Sequence, residues 1–205
     1  MTRVRISVGA SPFELIIEKG NNMNKTTMFI TGIIISLIII ISILSGIMAK
    51  KSEKTKILLE TNMGNITLEL YSEQVITSGN FRSLVENGVY NGVIFHRVID
   101  EFMIQGGDPT GTGYGDPNIP KIRDEFNGEQ ENNRLTIAMA NANRPNTGSS
   151  QFFINLVNNN FLDGKHPVFG RVIEGIDVVD AIAKVSTDSN DKPLKEVKII
   201  SAKVI

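Results

Sequence analysis

The sequence has no cysteine and only two histidines, His96 and His166, and these scarcities exclude much chemistry before any motif is considered. Without cysteine there are no disulfides, no thiolate metal sites and no cysteine nucleophile. With two histidines, a dedicated zinc or iron site would need carboxylates to complete its ligand set. No such cluster stands out, so no metal is expected. Net charge is scarce as well: 21 Lys and Arg against 22 Asp and Glu leave −1, with no basic field to point to nucleic acid. Apolar residues, by contrast, are plentiful. At 41% of 205 residues they can support a core, which argues against disorder and leaves room for one ordinary domain plus an appendage. No internal repeat or low-complexity tract is present.

The most apolar segment runs without a charge from Thr26 to Ala49 and includes ITGIIISLIIIISILSGIM. As a helix rising ~1.5 Å per residue it would be roughly 36 Å long, enough to cross a hydrocarbon core of about 30 Å. It is too long for the apolar region of a signal peptide, and Ile47 occupies the third position before Ala49, where cleavage needs a small residue. The reading is an uncleaved transmembrane anchor over 23–49. Met23-Asn24-Lys25 directly precedes it and reads as a natural beginning, so residues 1–22 are expected to be an untranslated or disordered extension. KKSEKTK, residues 50–56, is a charged linker. Counted alone, its lysines would keep the following domain on the cytoplasmic side. The expectation is nonetheless a single-pass cell-membrane protein with the domain on the extracytoplasmic face.

From Ile57 to Ile205 the pattern is that of one domain. ILLET and NITLELY flank a turn at Asn62-Met63-Gly64 and read as a hairpin, with Ile66, Leu68 and Leu70 sharing one face. TSGNFRSLVENG reads as a helix with Thr77 as N-cap and Gly88 as its stop. VIFHRVI, FMIQGGD, LTIAMAN, SQFFINL and VFGRVI read as short strands. EGIDVVDAIAKV reads as a second helix with Ile176, Val179 and Ile182 on one side, and VKIISAKVI as a closing strand. Many short strands with two helices predict a mainly β fold: a closed eight-stranded antiparallel β-barrel capped by two α-helices. GTGYG, residues 111–115, lacks the strand-turn-helix context of a phosphate loop and reads as a flexible surface loop. A triad of Ser149 or Ser150 with His166 and Asp163 lacks a nucleophile elbow. Asn65-Ile66-Thr67 is a formal glycosylation sequon.

FHRVI and FMIQGGD, then MANANRPNTGSSQFFI and FLDGKHPVFGRV, occur in an order that resembles the cyclophilin-type peptidyl-prolyl isomerases across the whole domain. The resemblance implies isomerisation of X-Pro bonds in proline-containing polypeptides and unfolded client proteins, by a monomer that needs no cofactor. It implies Arg97 as the principal catalytic group, with Gln105 beside it. It implies a proline pocket from Phe102, Met103, Phe153, Leu162 and His166, with Phe161 next to Leu162. Asn141 would pair through its backbone with the substrate, and Ala140, Ala142 and Gln151 would line the neighbouring groove. His96 is read either as a substrate-site residue or as a group satisfying the backbone. Phe161 stands where many members carry a tryptophan that contributes to cyclosporin binding, which implies weaker sensitivity. Asn143-Arg144 resembles one extra loop residue, and Thr147-Gly148-Ser149-Ser150 departs from the more usual asparagine-glycine-serine ending.

The chemistry fits these residue types. Rotation about an X-Pro bond meets a barrier of roughly 18–20 kcal/mol because the C–N bond has partial double-bond character. It needs no covalent intermediate, only selective stabilisation of the twisted amide. The rival reading is a non-catalytic proline-peptide binding chaperone or scaffold, which would need the apolar pocket but not Arg97.

Overall fold

The computed structural model describes residues 25–48, 54–127 and 131–205. The chain separates into two units, 1–53 and 54–205. The expected extension 1–22 and the first part of the linker lie outside the described residues.

In the first unit, Lys25–Met48 forms helix α1. Its side chains are described over 26–42, where Met28, Phe29, Ile33, Ile38 and Ile41 are all exposed. Among the described residues, no helix is long and apolar enough to cross a membrane.

The second unit is built on one eight-stranded antiparallel sheet in the order β3-β4-β6-β5-β7-β2-β1-β8. Strands β1 (Lys56–Thr61) and β2 (Gly64–Leu70) form the expected hairpin, with Thr61 opposite Gly64 across the turn. Thr61 Oγ1 donates to the Gly64 carbonyl and accepts from Met63 N, which closes the turn locally. The remaining strands are β3 (Arg97–Ile99), β4 (Met103–Gly106), β5 (Thr136–Met139), β6 (Phe152–Asn155), β7 (Val168–Glu174) and β8 (Ile199–Val204). All are shorter than the segment outlined for them except β7, which runs one residue further, to Glu174.

The expected closed barrel is corrected. Strands β3 and β8 form the two edges of a curled, open half-barrel and do not pair as a ladder. β3 has only three residues, and the chain beside it is the irregular stretch before β8. Val98 N donates to the Asp191 carbonyl and Phe95 N to the Val197 carbonyl, both at 2.8 Å, and Ile94 and Lys198 form an isolated bridge. Pro193 in that stretch has no N–H to offer, and Asp191 has a left-handed φ of 63°. Both features interrupt a regular ladder.

Helices α2 (Val75–Glu86) and α3 (Ile176–Ala183) pack on the sheet. From α2, Phe81 enters the core, where its ring meets Tyr90, Phe152 and Phe169 at centroid distances of 4.9 to 5.3 Å. Burying each such ring contributes about 1.5–3 kcal/mol. Gly88 ends α2 as expected, with φ +71° and its N–H on the Val85 carbonyl. The start of the helix differs from expectation. Gln74 precedes the first turn, Thr77 is buried inside it, and the cap comes from a distant residue: Glu125 Oε2 accepts from Ile76 N at 2.9 Å and Thr77 N at 3.0 Å. In α3, Val179 and Ile182 are buried while Ile176 is exposed.

Candidate active site

Strand alternation divides the sheet into two faces. Val98, Ile104, Ile137, Phe152 and Ile154 point into the main core. Their neighbours point to the opposite face, where the antiparallel registers align them in a row: Arg97 faces Gln105, Gln105 faces Phe153, Phe153 faces Ala138, and Ala138 faces Val168. Neighbouring strands are about 5 Å apart, so Arg97 lies only about 10 Å from Phe153, within reach of an extended guanidinium.

The row ends in an apolar cluster of Met103, Ala138, Phe153 and Val168, against which Phe102, Ala140, Leu162, Ile99 and Tyr71 pack. The His166 ring meets Phe153 edge-on at 5.4 Å. Phe161 stacks on Phe102 with centroids 5.9 Å apart but is itself 63% exposed. A 3₁₀ turn, Asn160–Leu162, carries Phe161 and Leu162 to this position.

Buried asparagines fasten the pieces together. Asn159 Nδ2 donates to the Phe102 carbonyl and to Asn155 Oδ1, both at 2.8 Å, while Asn155 Nδ2 donates to Thr136 Oγ1 and Asn132 Oδ1. Asn132 in turn donates from its backbone to Asp163 Oδ1 at 2.7 Å. Burial pushes the Asp163 carboxyl up, but the bonds from Asn132 and Asn160 outweigh this and hold it below the ordinary carboxylate range.

The polar side of the site is a chain of amides. Gln105 Nε2 donates to Gln151 Oε1 at 2.9 Å, and Gln151 Nε2 donates to the Gly113 carbonyl at 3.0 Å. These residues open onto a cleft of about 680 Å³ that is also lined by Ala140, Asn141 and Ala142. Asn141 is oriented by its own side chain, whose Nδ2 donates to the Lys165 carbonyl at 2.8 Å and whose Oδ1 accepts from Asn143 N. Arg97 Nε faces Asp191 Oδ2 at 3.4 Å, and both side chains are about two-fifths exposed.

The two histidines have different surroundings. His166 Nδ1 lies 3.0 Å from the Met139 carbonyl, so this nitrogen carries the proton. Burial lowers the pKa of His166, against smaller opposing effects from that carbonyl and Asp124. His96 is buried away from the row and packs beneath Gly113. Its Nδ1 has no partner among the described residues, and burial lowers its pKa despite the attraction of Asp108.

The 111–115 segment is more structured than its composition suggested. Asp108 is fully buried, and its carboxylate accepts from Thr110 N and Oγ1, Thr112 Oγ1, Gly113 N and Gly115 N. Burial raises this carboxyl, yet the bonds win and its pKa is lowered. Gly107 beside it admits no side chain, because at φ +85° a Cβ would lie 2.4 Å from the Ser150 carbonyl oxygen.

Sequence reasoning missed several cleft residues, Gly113, Tyr114, Lys121, Arg144 and Thr147 among them, as well as Asp191 beside Arg97. The charges of Lys121 and Arg144 were visible, but not that they face one cleft. Among the described residues, no group of three or more His, Asp or Glu could hold a metal ion.

A family model described as cyclophilin type peptidyl-prolyl cis-trans isomerase/CLD matches residues 56–204. The peptidyl-prolyl cis-trans isomerase-like 1 protein of Aspergillus fumigatus is 48% identical over 155 residues, covering 74% of this chain and 96% of that protein. A peptidyl-prolyl cis-trans isomerase of Schizosaccharomyces pombe is 49% identical over 148 residues, covering 70% and 95%. Among solved structures, a Cryptosporidium parvum cyclophilin type isomerase superposes with a TM-score of 0.70 at 34% identity, covering 74% of this chain and 98% of its own. A second structure of it, in the presence of the dipeptide Ala-Pro, gives 0.69. With this fold, this row of side chains and these relatives, the chain belongs to the cyclophilin-type peptidyl-prolyl cis-trans isomerases.

Proposed function

We propose that Arg97 is the principal catalytic residue and that the cluster of Phe102, Met103, Phe153, Leu162 and His166 grips the substrate proline. One observation carries this reading: the register that sets Arg97 and Gln105 in line with Phe153 on one face. In the planar X-Pro amide the prolyl nitrogen is a poor acceptor, because its lone pair is delocalised. As the bond twists, that nitrogen becomes pyramidal and recovers the lone pair. A guanidinium donating to it therefore binds the twisted state better than either planar isomer, which is the condition for catalysis. Arginine suits the role because it stays charged and presents its donors in a rigid fork. The apolar cluster seats the pyrrolidine ring and excludes water from the contact. Gln105 orients substrate through its amide, and Asn141 with Ala140, Ala142 and Gln151 supports the extended peptide in the cleft. Phe161 contributes an exposed rim, and His96 supports the cleft wall from below. The substrates are proline-containing polypeptides, unfolded client proteins included; the Ala-Pro dipeptide present with the Cryptosporidium parvum relative supports this class. A protease-coupled isomerisation assay on the full-length chain tests the assignment. Wild type should accelerate an X-Pro peptide and Arg97→Ala should not; equal rates would overturn the role of Arg97.

We further propose that residues 23–49 anchor the chain as a single membrane-spanning segment, with the isomerase domain on the extracytoplasmic face. Support comes from the sequence, which carries no charge over the 24 residues from Thr26 to Ala49, although no helix among the described residues is itself long and apolar enough to cross a membrane. Recovery of the full-length protein in the soluble fraction after cell lysis would overturn the anchor. Protection of the domain from added protease until the cells are lysed would overturn its orientation.

A further inference from the structure

We propose that the cleft beside the proline pocket is acid-selective: an aspartate or glutamate side chain flanking the X-Pro bond docks between Lys121 and Arg144. The inference rests on the isomerase site described above, because the cleft joins the proline pocket through shared residues. Gln105 lines the cleft and faces Arg97 in register, while Ala140 lines the cleft and packs on the apolar cluster. A peptide seated with its proline in the pocket would therefore extend a neighbouring side chain into the cleft.

Three charged residues line this cleft: Asp116, Lys121 and Arg144. Asp116 engages its own turn, with Oδ1 accepting from Asn118 N at 2.8 Å and Asn118 Nδ2 at 2.9 Å. Lys121 and Arg144 are exposed, and among the described residues neither side chain makes an ion pair or a hydrogen bond. Their backbones are nevertheless fixed. Ile122 and Gly148 form an isolated bridge, with Ile122 N on the Gly148 carbonyl at 2.8 Å, which brings the Lys121 segment against the loop that carries Arg144. That loop is closed by Thr147 Oγ1, which donates to the Arg144 carbonyl at 2.7 Å and accepts from Ala142 N at 3.0 Å. Asp124, the nearby carboxylate, accepts from Asn146 N at 2.8 Å and does not line the cleft. Two unpaired cations thus stand on fixed backbone against the one carboxylate of Asp116, a net excess of positive charge, beside polar Gln151, Thr147 and Ser149. An acidic side chain entering there gains attraction from both, and a basic one meets repulsion from both.

The test uses the full-length chain in detergent and peptides with Glu, Ala or Lys at the second and third positions on either side of X-Pro. At low salt, kcat/KM for the Glu peptide should exceed that for its Lys counterpart by about two- to tenfold at one or more positions. That ratio should fall toward one at about 1 M salt, where screening acts within about 3 Å. The double substitution Lys121→Glu, Arg144→Glu should invert it. A wild-type ratio of one at every position, or a ratio that survives the double substitution, would overturn acid selectivity. Failure of the wild type to accelerate any of the peptides would overturn the isomerase site itself and the selectivity with it.

Discussion

Arg97 and Asp191 face each other across the open seam of the sheet, Nε to Oδ2 at 3.4 Å. Strand β3 contributes the arginine, and the aspartate comes from the turn whose carbonyl also receives Val98 N. The contact uses the inner nitrogen of the guanidinium. Among the described residues, no hydrogen bond occupies the two outer nitrogens, the ones that the proposed catalytic role would use.

Arg97→Ala is predicted to lower kcat by about 10²–10³-fold, the usual cost of removing one preorganised charge-stabilising donor. Arg97→Lys should fall nearly as far, because a single ammonium does not reproduce the fork. Asp191→Asn should cost less than about fivefold, since a half-exposed pair contributes no more than ~1 kcal/mol. Steady-state kinetics on one proline peptide would check all three, and a larger loss in Asp191→Asn than in Arg97→Ala would contradict this ordering.

Gln105→Leu is predicted to reduce kcat/KM by about three- to tenfold while the protein stays folded. It deletes the 2.9 Å bond to Gln151 and leaves that Oε1 unsatisfied, at a cost of about 0.5–1.5 kcal/mol. Kinetic and circular dichroism measurements on the same sample would separate a site effect from unfolding.

Both histidines are predicted to titrate below their ordinary value of 6.5, because burial disfavours the imidazolium in each. In the window below 6.5 the unfolded chain takes up these protons before the folded chain does. Stability therefore falls as pH drops from about 6.5 toward the folded-state values, and levels off below them. The depressed Asp108 and Asp163 act in a separate window. Their contribution is present above the ordinary 3.8 and is lost as pH falls through their lower folded values. A chain with two histidines gives a simple proton NMR titration, and a midpoint above 6.5 for either one would refute the assignment.

Glu125→Ala is predicted to destabilise the domain by about 1–3 kcal/mol, because two backbone N–H groups at the start of α2 lose their acceptor in a buried position. Urea unfolding would measure this. Thr77→Val, which alters the residue that resembled the cap, should cost less, since the Thr77 hydroxyl has no partner among the described residues.

Most of the strands, both domain helices and the C-terminal stop of α2 were legible along the chain. Alternation in NITLEL and the Gly88 stop are local signals, set within a few residues by side-chain direction and by glycine's access to positive φ. The order of FHRVI, FMIQGGD, MANANRPNTGSSQFFI and FLDGKHPVFGRV determined the family resemblance, since such long segments are specific in themselves. The tertiary structure alone decided what depends on residues far apart in sequence. Glu125 caps a helix 48 residues upstream, Asp108 organises the loop beyond it, and His96 lies beneath Gly113 rather than in the row with Arg97. It also decided that the sheet stays open: β3 is short, and Pro193 and Asp191 break the ladder that strand alternation alone would have closed. Side-chain periodicity determines which face a residue takes. Which other residue it meets there is set by register and chain path, and no local pattern records those.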